Sequence, residues 1–154
     1  MSNQLPILKI GDVLLVSIQT DLDDETVLFL QDDLAERITA TGAHGVVIDI
    51  SAVEIVDSFV GRMLATVAAL SRTLDAETVV VGMRPAVAIT LVELGLSLGG
   101  VMTALDLEKG LRVLARLRDA RDAEFEGGRS EQDDQEGQDD TSAKQSTRSS
   151  AAIR

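Results

Sequence analysis

The chain has 154 residues, 45% of them apolar, and a formal net charge of −12. That length holds one domain and a tail, and the core must be aliphatic, since there are three Phe and neither Tyr nor Trp. The absence of Cys excludes a disulfide framework, a thiol nucleophile and a thiolate metal site, and the surplus of acid argues against nucleic acid or an anionic membrane as partner.

The opening "MSNQLPILKI" lacks the basic region and long apolar core of a signal peptide, and no apolar run nears the ~20 residues of a membrane span. A soluble cytoplasmic protein is expected. "ILKIGDVLLVSIQ" reads as two short strands, Ile7 to Ile10 and Val13 to Ile18, joined by Gly11-Asp12. A helix follows from about Asp24 to Ala40. Val27, Leu30, Leu34 and Ile38 recur on one of its faces, Asp23, Asp24 and Glu25 sit at its positive end, and Gly42 stops it. "GVVIDIS" is almost wholly apolar, as expected of a strand covered on both faces.

A second helix starts near Ser58, with Phe59, Met63, Val67, Leu70 and Leu74 as its apolar stripe. "ETVVVGM" reads as another buried strand, and "PAVAITLVELG" as a helix with Pro85 in its first turn and Gly95 as its stop. "VMTA" is a candidate last strand, and "DLEKGLRVLARLRDA" a last helix beginning at Asp106. Strands alternating with helices predict an α/β domain with a largely parallel sheet, made mixed by the opening hairpin.

From about Asp122 the pattern dissolves. "EGGRSEQDDQEGQDDTSAKQSTRSSAAIR" has almost no large apolar residue to offset its ordering entropy. The expected organisation is a domain over residues 1–118 and an acidic, mostly disordered tail over 119–154. Truncation after Glu124 is therefore expected to leave the melting temperature within about two degrees by calorimetry, whereas a loss of about ten degrees would show a docked tail.

Conventional catalytic signatures are missing. Asp23, Asp24, Asp49 and Asp57 invite comparison with a receiver-type aspartyl-phosphate and magnesium site. Asp49, however, lies within its strand, and the late strands "ETVVVGM" and "VMTA" carry no lysine, so the acids read more simply as helix-start residues. His44, the one histidine, has no partners for a triad or a zinc site and reads as a surface loop residue. The glycines follow neither the P-loop nor the dinucleotide spacing, and "GLSLGG" reads as a helix stop and turn. No cofactor or metal is implied.

Asp57-Ser58 remains. Either residue could simply cap the second helix. Alternatively, Ser58 could carry a phosphate at a helix start, where unpaired N–H groups and partial positive charge tolerate it. Gly61, costing ~1 kcal/mol against alanine in a helix, reads either as a tolerated surface glycine or as the mark of a close approach by a partner.

Together, "PILKIGDVLLVSIQTDLDDET", "GAHGVVIDIS", "VDSFVGRML" and "PAVAITLVELGLSLGGVMTALDLEKGL" resemble the STAS-domain anti-sigma-factor antagonists, most nearly the RsbS type of stressosome scaffold. The resemblance covers about Leu5 to Leu114. It implies a mixed four- or five-stranded sheet with helices packed mainly on one side, and no catalytic activity. As partners it implies an RsbT-type serine kinase that is bound and sequestered, a larger RsbR-type STAS paralogue, homo- and hetero-oligomers in a large shell, and a serine phosphatase that resets the site. By the same resemblance Ser58 is the phosphoacceptor, with Asp57 and Phe59 completing its motif and Gly61 beside it. A polar, acidic tail of this length departs from the type. Two rivals stand beside this expectation: a simple two-partner anti-anti-sigma factor, and a receiver-like domain phosphorylated on aspartate.

Overall fold

A computed structural model describes residues 5–19, 22–95 and 101–127. The hairpin forms as expected from β1 (Ile7–Ile10) and β2 (Val13–Ser17), with Gly11 at φ 58° supplying the left-handed turn residue. β3 (Gly45–Asp49), β4 (Glu77–Val81) and β5 (Met102–Ala104) run parallel to β2, so the five strands stand in chain order across one mixed sheet. Three helices make the crossovers: α1 (Asp24–Thr41), α2 (Ser58–Thr73) and α3 (Pro85–Glu93). A fourth, α4, spans residues 107–127.

Sequential strand order decides where the helices go. Parallel crossovers are almost always right-handed, so successive steps in one direction place α1, α2 and α3 on the same face. One core cluster accordingly joins Leu14, Val16, Val46, Ile48 and Val80 of the sheet to Leu34, Leu64 and Val87 of those helices. The other face needs separate cover, and α4 supplies it through Leu107, Leu111 and Leu114 against Val13, Val47, Val79 and Val81. Gly110 and Gly45 make the close fit possible. A Cβ at Gly110 would stand 2.8 Å from Val81 Cγ1, and one at Gly45 would stand 2.7 Å from Leu114 Cδ1. Burial on both faces explains why β3 and β4 are nearly continuous apolar runs.

The helix ends follow the local chemistry of the sequence. Asp23 caps α1 by accepting the Thr26 N–H at 2.7 Å, and Gly42 closes it in the left-handed region at φ 67°. Hydrogen bonds from Thr26, side chain first and backbone second, hold the Asp23 carboxyl below the usual carboxylate range. A depressed carboxyl stabilises the fold above its unfolded pKa and loses that contribution as pH falls through the folded one. Asp23→Asn, which keeps an acceptor at the cap, is expected to flatten the acid limb of the melting-temperature profile. An unchanged acid limb would contradict this.

Pro85 opens α3 and Gly95, at φ 66°, follows its end. The turn expected beyond it, from residue 96 to 100, lies outside the described residues. The α2 stripe is placed differently from the expectation. Met63 and Val67 are buried, but Phe59, Leu70 and Leu74 are only half-buried, while Gly61, Leu64, Ala68 and Ser71 lie inside. The buried side is turned toward small residues, which let α2 approach both β4 and α1.

Internal contacts divide the chain after Arg116. The unit before that point holds the sheet, α1 to α3 and the first turns of α4. In the unit after it, residues 117–127 continue the helix, exposed apart from half-buried Leu117. The helix therefore runs past position 118, and the remainder of the expected tail, from 128, lies outside the described residues.

Candidate functional site

The crossover from β3 to α2 runs over the carboxyl edge of the parallel strands, where open α/β sheets present their functional loops. Its first residues are fixed closely. Ile50, fully buried, donates its N–H to the Val81 carbonyl at 3.0 Å, carrying the β3–β4 pairing one step beyond the strands. Asp49 Oδ1 accepts the Ser51 N–H at 2.9 Å. Arg84, at the start of α3, donates from Nε to the Ser51 carbonyl at 3.0 Å and lies 3.7 Å from the Glu54 carboxylate. Gly82 passes beneath, and a Cβ there would stand 2.9 Å from both Asp49 Oδ1 and Ser51 Cβ. Buried Val56 then anchors the loop's far end.

These constraints deliver Asp57 and Ser58 to the surface. Asp57 is the cap: extended at φ −112°, it accepts the Val60 N–H on Oδ1 at 3.0 Å. Ser58 is the first residue of α2 and is exposed, taking no part in the cap. Of the two cap candidates left open by the sequence, Asp57 is the one that caps. Phe59 is half-buried and packs against the main core. Gly61 donates its N–H to the Asp57 carbonyl at 3.3 Å and is buried rather than on the surface.

Beside Asp57 lies a groove of about 430 Å³, with Leu22, Val53, Ile55 and Phe59 among its apolar lining and Glu54 and Asp57 as acids. Ile55 is 86% exposed, an unusual position for isoleucine. Sequence reading did not single out Ile55, Glu54 or Arg84. Ile55 in "VEIVDSF" was the available signal, an apolar residue in a loop just ahead of a helix cap.

The other candidate acids have separate structural tasks. Asp23 caps α1, Asp49 holds the Ser51 turn and Asp57 caps α2. Among the described residues no three His, Cys, Asp or Glu side chains gather as a metal site. His44 is half-buried, and its backbone bonds to the Asp12 carbonyl and the Glu77 N–H, both at 3.0 Å, tying its loop to the hairpin and to β4. Among the described residues no helix is long and apolar enough to cross a membrane.

Comparison with known proteins gives a consistent result. The STAS domain family model matches residues 4–104. RsbS of Moorella thermoacetica, in an S58E form, is 45% identical with a TM-score of 0.65, covering 75% of this chain and 97% of that one. A chain of the stressosome, a signal integration and transduction hub, is 47% identical with a TM-score of 0.65, covering 73% and 98%. RsbRD of Bacillus subtilis, an RsbT co-antagonist protein, is 32% identical over 114 residues, 72% of this chain and 41% of the relative. The chain spans about two fifths of the length of the curated relatives it matches. By its matched residues and its strand order, the chain belongs to the STAS-domain family, and it is similar to RsbS over almost the whole of the RsbS chain.

Proposed function

We propose that this chain is a non-enzymatic regulator of the general stress response. It acts as a cytoplasmic stressosome scaffold that co-assembles with RsbR-type STAS paralogues, holds an RsbT-type serine kinase, and releases it when phosphorylated on Ser58. A serine phosphatase returns the site to its holding state. The observation that carries the proposal is the division of labour at the start of α2. Asp57 makes the cap, so the exposed Ser58 is available for modification without loss of the helix start. The groove beside Asp57 offers a partner exposed Ile55 and half-buried Phe59, the latter the residue that follows Ser58. A phosphate adds about two negative charges beside Asp57 and Glu54, on a surface already acidic. The S58E form of Moorella RsbS and the co-antagonist name of RsbRD support a switch of this kind.

Light scattering on the chain mixed with its STAS paralogue, with and without the kinase, tests the assembly. A large particle that takes up kinase is expected. A small complex of two partners, unchanged by the paralogue, would replace the scaffold with a simple anti-anti-sigma factor.

A further inference from the structure

Two helical arginines in the described chain face an acid one turn earlier and pair with it. Arg37 lies 3.6 Å from Asp33 on α1, and Arg112 lies 2.6 Å from Glu108 on α4. Arg62 of α2 stands in the same relation to Ser58. Its Nε donates to the Ser58 carbonyl at 3.3 Å, and among the described residues it forms no salt bridge. Helical side chains lean toward the N-terminus, so this guanidinium already lies back over residue 58. The spacing is that of the α1 and α4 pairs, with a neutral hydroxyl where they have a carboxylate.

We propose that Ser58 and Arg62 are a latent ion pair, completed when Ser58 carries a phosphoryl group, and that Arg62 is the residue that positions the phosphate. This rests on the phosphorylation of Ser58 proposed above. An acid placed four residues ahead of a base is the favourable orientation along a helix. A phosphate dianion can also take two parallel hydrogen bonds from the planar guanidinium, and it brings roughly twice the charge of a carboxylate. Since Arg62 is already held over Ser58, little further side-chain ordering is needed. The pair draws the phosphate along the outside of α2 and sets the direction in which the new charge faces a docked partner.

The test installs phosphoserine at position 58 during synthesis, so that no kinase is needed, and follows its second ionisation, near pH 6, by ³¹P NMR. Asp57 precedes the phosphoserine, Glu54 lines the groove that Asp57 also lines, and Arg84 stands against Glu54. All three are retained in every variant. Arg62→Gln is expected to raise the phosphate pKa by about 0.3 units, the scale of a helical ion pair for the one negative charge that this ionisation adds. Arg62→Lys is expected to recover part of that shift, and the exposed Arg116→Gln to cause none. The same pKa in the parent and Arg62→Gln proteins would overturn the proposal. Kinase labelling of a different residue would remove the switch while leaving this titration intact. A flat titration would remove Arg62 while leaving the switch intact.

Discussion

Gly82→Ala is expected to destabilise the domain by about 3 kcal/mol, lowering its melting temperature by about 10–20 °C. Two costs add at this position. The backbone has φ 74°, where any residue with a Cβ loses about 1–2 kcal/mol. The new Cβ would also stand 2.9 Å from Asp49 Oδ1 and Ser51 Cβ and 3.2 Å from the Ser51 N–H nitrogen. Ser51 Cβ moves only with its backbone, and Asp49 Oδ1 is tied down by the Ser51 N–H, so overpacking costs roughly a further 1–3 kcal/mol. Gly11 separates the two terms, because at φ 58° it has nothing within 4 Å of an added Cβ. Gly11→Ala should therefore lose only the backbone part, about 1–2 kcal/mol. Equal losses at the two glycines would show that the crowding beneath the Ser51 turn is relieved at no cost.

Kinase binding is where the second large effect is expected. Ser58→Ala should fold, because Asp57 still accepts the Val60 N–H, and it should hold the kinase even with ATP present. Ser58→Glu is expected to weaken binding about tenfold, since one added negative charge beside Asp57 opposes a docked partner. Phosphate, with roughly twice the charge, should weaken it about a hundredfold. Titrating the kinase against the three forms by calorimetry checks the order. Equal affinity for the unmodified and glutamate forms would leave charge at position 58 without a role in release.

The strand and helix order was legible because each element here is strongly punctuated. Apolar runs fully buried on both faces, Pro85 at a helix start and glycines at helix ends all act locally. The rotation of α2 was not legible for a physical reason. Its inward side is built from Gly61, Ala68 and Ser71 as well as Leu64, and small residues leave little trace in a hydrophobic pattern although they set how near two elements pass. The same holds for Gly110 and Gly45, whose importance lies in what a Cβ would meet. At the site, the Asp57-Ser58 pair stood out in sequence, yet which of the two caps depends on backbone geometry, with Asp57 extended and Ser58 already helical. Arg84 is 33 residues from the Ser51 it holds, a separation across which no local pattern carries information.

Phosphopeptide mapping of the chain after incubation with the cognate serine kinase and ATP tests the central claim most directly. The account predicts one dominant labelled peptide carrying phosphate on Ser58, with labelling abolished in Ser58→Ala and stable to hydroxylamine, as a phosphoserine is. Label mainly on the Ser- and Thr-rich end of the chain, or an acyl phosphate lost to hydroxylamine, would contradict it and leave Ser58 as no more than the first residue of α2.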